Sequence, residues 1–134
     1  MHTVRFAFLP HGARTENSEL IREGMAFNRP MLSVGTDEGP ASGGRLAMEN
    51  SGSVVCSSLR RAEHSDGLII RFYETAGRKC SLTFSLDGGI ESAEEVNFLE
   101  NPIGGVVKLA KGKASVQFHP YEVKSVLVKC KPLA

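Results

Sequence analysis

The 134-residue sequence contains no tryptophan and just two tyrosines, Tyr73 and Tyr121. Aromatic rings supply much of the contact area at binding surfaces, and sugar-binding surfaces use them as flat platforms for the apolar face of a pyranose. A chain with so few of these rings is poorly equipped to bind carbohydrate by itself. The scarcity of aromatic residues therefore argues against an autonomous sugar-binding module.

An excess of charge and a long apolar run are missing as well. The formal net charge is +1, from 16 Lys and Arg residues against 15 Asp and Glu residues, so no overall field attracts nucleic acid or an anionic membrane. No apolar stretch approaches the roughly 20 residues that a membrane helix requires, and the first residues lack the order of a signal peptide. We expect no nucleic-acid partner and no membrane partner.

Cysteines are few and widely spaced. Cys56, Cys80 and Cys130 form an odd set with no close pair, which is typical of free thiols in a reducing compartment rather than of a disulfide framework. We therefore expect a cytoplasmic location. One disulfide with one free thiol is the alternative.

The remaining composition, 41% hydrophobic and 23% charged, is that of an ordinary globular protein. The length suits one core, so we predict that residues 1–134 form a single domain. Strand-like residues 3–9 follow Met1 and His2 without a polar leader. We interpret this abrupt start as the mark of a domain taken from a longer polypeptide.

Alternation of apolar and polar residues dominates most of the chain. Cys80, Leu82, Phe84 and Leu86 alternate with polar residues, which is the two-residue period of a half-buried strand. Similar patterns predict further strands at 4–9, 31–34, 53–59, 68–73, 91–99, 106–109, 114–118 and 123–128. Residues 60–67 and 111–113 have the composition of hairpin turns, and residues 35–44 that of a surface loop.

A single helical pattern interrupts these strands. Ile21 and Met25 are four residues apart within 19–27, which predicts a short helix that ends before Pro30. Short strands with turn signals about every 8 to 12 residues are typical of a sandwich. We therefore predict an all-β fold, an antiparallel β-sandwich with one short helix or helical turn.

The histidines do not predict a metal site. Zinc needs three or four converging ligands, usually including a close pair in the sequence, and His2, His11, His64 and His119 lie far apart. We predict no metal ligand in this chain. His11, in a Pro-His-Gly turn, is the candidate for a contact with sugar or with a neighbouring domain, and a histidine that bonds the turn backbone is the alternative.

The carboxylates do not predict a catalytic pair. Retaining glycosidases place two of them about 5 to 5.5 Å apart, and the pairs that can be nominated are Glu74 with Glu100 and Glu94 with Glu95. Adjacent Glu94 and Glu95 point to opposite faces of a strand. For Glu74 we favour an internal ion pair with Arg71. Nucleophile and phosphate-loop motifs are also missing from the sequence, so we predict no catalytic residue.

Six lysines lie near the last strands: Lys108, Lys111, Lys113, Lys124, Lys129 and Lys131. We interpret them as solvated strand faces and edge protection rather than as an anion-binding patch.

Several stretches match a known family in order and spacing. Residues 2–12 read His-Thr-Val-Arg-Phe-Ala-Phe-Leu-Pro-His-Gly and residues 26–30 read Ala-Phe-Asn-Arg-Pro. Residues 54–63 end in Arg-Ala-Glu, and residues 68–77 read Leu-Ile-Ile-Arg-Phe-Tyr-Glu-Thr-Ala-Gly. Residues 96–100 read Val-Asn-Phe-Leu-Glu, and residues 118–125 read Phe-His-Pro-Tyr-Glu-Val-Lys-Ser. Together they resemble the C-terminal region of glycoside hydrolase family 38 α-mannosidases, with Arg61, Asn97 and Tyr121 in place of the commoner lysine, aspartate and phenylalanine.

The resemblance implies a C-terminal accessory domain whose partners are the catalytic and middle domains of the same polypeptide, with a homo-oligomer as a further expectation. The intact enzyme would hydrolyse terminal α-mannosides with retention of configuration, using zinc and an aspartate nucleophile outside this chain. The chain alone would hold no cofactor and be inactive. The alternative is a free-standing β-sandwich for carbohydrate binding or adhesion, which would need an aromatic platform or bound calcium.

Overall fold

Strands are the main secondary structure of the computed structural model, which describes residues 2–29, 32, 35 and 45–131. Its elements are α1 (Asn17–Asn28), β1 (Leu46–Glu49), β2 (Val54–Arg61), β3 (Leu68–Glu74), β4 (Cys80–Leu86), β5 (Ile90–Val96), β6 (Lys108–Ala110), β7 (Lys113–Phe118) and β8 (Val123–Cys130).

Within these residues the strands form two four-stranded sheets. Sheet I has the order β1-β4-β7-β6 and sheet II has the order β2-β3-β8-β5. Every neighbouring pair of strands is antiparallel. The predicted all-β antiparallel sandwich with one short helix is confirmed.

The core lies between the two sheets and follows directly from the alternation in the sequence. Phe72 of sheet II and Phe84 of sheet I are fully buried, and their ring centroids are 5.0 Å apart. Burying one such side chain contributes roughly 1.5 to 3 kcal/mol. A smaller cluster of Ile69, Val96 and Leu127 packs on the opposite, outer face of sheet II, because neighbouring strand residues point to opposite faces.

Most predicted strands are confirmed. Those at 53–59, 68–73, 80–86, 114–118 and 123–128 correspond to β2, β3, β4, β7 and β8, with bounds that agree within two residues. The hairpin turns at 60–67 and 111–113 join antiparallel neighbours, as predicted. The predictions for 31–34 and for the loop at 35–44 fall almost wholly outside the described residues.

The structure shortens two predicted strands and adds one. The strand predicted at 91–99 ends at Val96, because the Asn97 side chain accepts the N–H groups of Leu99 and Asn101 and turns the chain. The strand predicted at 106–109 is found as β6. The short edge strand β1 has no counterpart among the predicted strands.

The strand predicted at 4–9 is wrong. Those residues have no strand assignment, and Val4, Phe6 and Phe8 are exposed. Alternation supplies one apolar face, but a strand also needs a neighbour for its backbone groups. None of the described residues provides that neighbour.

The predicted helix is confirmed, and polar bonds attach it to the sandwich. Asn17 donates its side-chain amide to the Thr75 carbonyl, Ser18 donates to the Gly52 carbonyl, and Arg22 donates to the Ser51 carbonyl. Within the described part of the chain, no helix has the length and apolar character needed to cross a membrane.

Candidate functional site

The buried Glu74 carboxylate ties together two turns at one end of sheet II. Glu74 is 2% exposed and accepts the backbone N–H groups of Ala76 and Gly77, each at 2.8 Å. It also accepts the N–H of Tyr121 at 3.0 Å, from the turn before β8. The carboxylate therefore joins the turn after β3 to a turn 47 residues later.

Hydrogen bonding keeps Glu74 ionised. Burial alone would raise the pKa of this carboxyl group, but the N–H donors of Tyr121, Ala76 and Gly77 outweigh it, so the pKa lies below its ordinary value of 4.5. Charge-assisted hydrogen bonds to backbone N–H groups stabilise the ionised form in this way.

Gly77 and Tyr121 fit each other in the same turn cluster. Gly77 has a φ of +67°, and a Cβ placed there would lie 2.6 Å from the Tyr121 hydroxyl oxygen. Both the backbone conformation and the tyrosine ring therefore require glycine. The Glu-Thr-Ala-Gly and Pro-Tyr-Glu stretches that carry the family resemblance thus form one structural unit.

A second carboxylate performs a similar task at the opposite end of β3. Glu100 accepts the N–H of Glu63 at 2.8 Å, in the turn between β2 and β3. Its Oε1 lies 2.6 Å from the Arg60 guanidinium, an ion pair without well-aligned hydrogen-bond geometry at that oxygen. Burial raises the pKa of Glu100, but the Glu63 N–H and the Arg60 charge lower it overall.

The two nominated catalytic pairs do not form. Glu74 and Glu100 lie at opposite ends of the seven-residue strand β3, about 20 Å apart at roughly 3.3 Å per residue. Glu94 is exposed and Glu95 is buried, which confirms that these neighbours point to opposite faces. Neither separation suits the 5 to 5.5 Å geometry of retaining glycosidases.

The predicted ion pair between Arg71 and Glu74 is wrong. The two residues are three apart on β3 and so point to opposite faces of sheet II. Arg71 instead donates from Nε to the Ser125 hydroxyl at 3.1 Å, and its guanidinium carbon lies 4.5 Å from the centroid of the Phe98 ring.

A third charged group, absent from the sequence predictions, closes the core between the sheets. Lys124 lies opposite the core residue Phe72 in the β3–β8 register, and its Nζ lies 2.8 and 2.9 Å from the two carboxylate oxygens of Glu95. Glu122 completes the group at 3.4 Å. Desolvation lowers the pKa of Lys124, but the two carboxylates raise it above 10.5 overall.

The interpretation of the lysines as exposed strand residues is therefore wrong for Lys124, whose side chain is 13% exposed. The spacing along β8 contained the signal. Lys124 is two residues before Val126 and four before Val128, so it lies on the same face of the strand as these two core residues. Lys108, on the edge strand β6, and Lys129 are exposed, as that interpretation predicts.

A polar cleft of about 540 Å³ borders the Lys124 group, with Ser81, Ser115, Gln117, His119 and Glu122 among its lining residues. Groups of three or more His, Cys, Asp or Glu side chains that could hold a metal ion are not found in residues 2–29, 32, 35 and 45–131.

His11 is exposed, and its Nδ1 lies 3.2 Å from the Gly12 carbonyl oxygen. It lines a groove between the residues before it and α1, away from the Glu74 and Lys124 groups in the sequence and in their contacts. Its assignment as a contact to sugar or to a neighbouring domain stays a prediction.

Comparison with known proteins identifies the sandwich. No curated protein sequence matches the chain. A profile described as the glycosyl hydrolases family 38 C-terminal beta sandwich domain matches residues 53–126, more than half of the chain, from the start of β2 into β8. The chain therefore belongs to the family of the glycosyl hydrolases family 38 C-terminal beta sandwich domain.

Proposed function

We propose that the chain is the non-catalytic C-terminal domain of a zinc-dependent, retaining α-mannosidase. It packs against the catalytic and middle domains of the same polypeptide and supports the active site. The intact enzyme hydrolyses terminal α-mannosides. The family match over residues 53–126 carries this proposal.

The use of the buried charges supports a structural role. Glu74 and Glu100 accept backbone N–H groups from turns, and Glu95 is paired with Lys124. A catalytic acid or nucleophile needs an accessible carboxyl group beside the reacting atoms. These carboxylates instead hold strands and turns in place.

Zinc and the aspartate nucleophile belong to the catalytic domain in this proposal. The side chains described here do not converge into a metal-binding group, so they do not fit the zinc ion that the family implies. We assign no step of the reaction to this chain.

We further propose that the enzyme works in the cytoplasm. A homo-oligomer is a separate part of the proposal. Cys56, Cys80 and Cys130 are all free thiols, and free thiols persist in reducing compartments.

The test compares this chain with a protein extended upstream by the residues encoded before it. Both are assayed with an aryl α-mannoside and added zinc, and an aryl α-glucoside serves as the substrate control. We expect hydrolysis of the mannoside by the extended protein and none by the 134-residue chain.

Activity of the short chain would contradict the proposal, because it would require a catalytic pair within these residues. An extended protein that is folded and inactive on both substrates would favour the binding or adhesion module. Measured affinity of the short chain for mannosides would then decide for that alternative.

A further inference from the structure

The segment formed by residues 4–9 has an exposed apolar side. Val4, Phe6 and Phe8 are 82%, 77% and 88% exposed, which is unusual for three large apolar side chains so close together. The Phe6 and Phe8 ring centroids are 5.9 Å apart, as expected for residues two apart on the same side of an extended chain.

The opposite side of the segment faces α1. The guanidinium carbon of Arg5 lies 5.4 Å from the centroid of the Phe27 ring. Ala7, Phe8 and Leu9 line a groove of about 560 Å³ together with Leu20 and Phe27 of the helix. The segment therefore lies beside the helix, but its residues all stay exposed, including Ala7 and Leu9.

The backbone of the segment is also free. Among the described residues, none of the N–H or carbonyl groups of residues 3–9 pairs with another backbone group. Exposed apolar side chains at alternating positions and unpaired backbone groups are together the features of a strand that lacks its neighbour in a sheet. The adjacent helix α1 lies on the side where a layered sheet would place one.

We infer that residues 4–9 are a strand that adds to the open edge of a β-sheet in the neighbouring domain of the same polypeptide. Phe6 and Phe8 enter the core of that domain, and α1 covers the outer face of the added strand. This inference rests on the proposed function, since it requires the other domains of the enzyme.

Two observations favour a neighbouring domain as the partner. The matched family is by description a C-terminal domain, so other domains precede it in the polypeptide. Residues 4–9 lie before the matched region, on the side of the chain nearest those domains. Strand addition satisfies the free backbone groups and both alternating faces at once, which a contact with a flat apolar surface does not.

Hydrogen–deuterium exchange of the amides at 4–9 tests the inference in the short chain and in the extended protein. We expect fast exchange in the short chain and exchange slower by about 100-fold or more in the extended protein. Fast exchange in both proteins would overturn the inference. Slow exchange in both proteins would also overturn the inference. If the exchange rate of the short chain then depended on protein concentration, the partner would be a second copy of the chain.

A pair of double variants of the extended protein separates the docking strand from apolar surface in general. F6S/F8S removes the proposed core contacts, and we expect exchange at 4–9 to return to the rate of the short chain. L99S/V106S is the control, because both side chains are 74% exposed and lie on another loop; it should retain slow exchange. Equal effects of the two variants would contradict the inference.

If the control variant is well folded and F6S/F8S is not, exchange in the unsubstituted proteins still decides the question. Mannosidase activity reports separately on the proposed function. If exchange at 4–9 is slow in the extended protein but the mannoside is not hydrolysed, the docking strand is supported and the proposed mannosidase function fails.

Discussion

At the scale of single residues, Glu74 shows how a charge is placed inside a sandwich. The carboxylate is held by backbone donors from two turns rather than by a cation. Donors supplied by turns are fixed by the fold, so the ionised carboxylate and the two turns stabilise one another. Loss of the negative charge should therefore affect both turns.

We expect Glu74→Gln to lower the free energy of unfolding by about 1 to 3 kcal/mol at neutral pH, because an uncharged amide accepts the N–H groups less strongly. Urea denaturation of the chain measures this change. Glu94→Gln on the exposed side of β5 is the matched control and should change the value by less than about 0.5 kcal/mol.

The effect of Glu74→Gln should also depend on pH, with a definite sign. A lowered folded-state pKa contributes stability that is fully present above the unfolded value and lost as the pH falls through the folded value. The difference between wild type and variant should therefore shrink below pH 4.5. A difference that stays constant down to acidic pH would show that shape rather than charge is responsible.

The sequence predicted a structural role for Glu74 but named the wrong partner. Spacing along β3 could have excluded Arg71, since residues three apart point to opposite faces. The Tyr121 donor could not be found in this way, because Tyr121 is brought to Glu74 only by the pairing of β3 with β8.

At the scale of elements, Lys124 and Glu95 join the ends of β8 and β5 where the apolar core stops. Their side chains are 13% and 9% exposed, and the core residues Phe72 and Val126 lie opposite them in the register. Removing one charge of a pair in this position leaves the other largely desolvated and unpaired.

We expect Lys124→Met to lower the free energy of unfolding by about 2 to 3 kcal/mol, somewhat less than breaking a fully buried pair. The double variant K124M/E95Q should cost less than the sum of the two single variants, because the single change leaves one charge unpaired. A double-mutant cycle by urea denaturation measures the coupling, with Lys129→Met as the exposed control. Strict additivity would mean that the pair is not coupled.

Elements with a clear period of two could be predicted, and others could not. β4 is predicted to the residue by Cys80, Leu82, Phe84 and Leu86, because these four share one face, on which Cys80 is half-buried and the other three are buried. β1 was not predicted, because it has only four residues and their burial does not alternate in this way. Residues 4–9 show the converse, since their alternation is clear and no partner strand is found among the described residues.

At the scale of the whole molecule, the sandwich and α1 are stabilised by different means. The sandwich buries a continuous apolar core between its sheets, whereas the only buried residue of α1 in the structure is Ser18. Polar bonds from Asn17, Ser18 and Arg22 attach the helix. Each such bond contributes roughly 0.5 to 1.5 kcal/mol, far less than a packed apolar face.

This difference predicts unequal exchange of amide hydrogens in the 134-residue chain. The helix should open locally, so we expect amides within 20–27 to exchange before those of β3 and β8, whose exchange requires global unfolding. Mass spectrometry of peptides from both regions measures the two rates.

Substitution of Ser18 by alanine should accelerate exchange in the helix and leave exchange in the strands unchanged. Glu23→Gln, on the exposed side of the helix, should change neither rate. If helix and strands exchange together, α1 unfolds with the sandwich and does not need a neighbouring domain for its stability. If the helix exchanges first in the short chain and more slowly in the extended protein, the contact that orders residues 4–9 also stabilises α1.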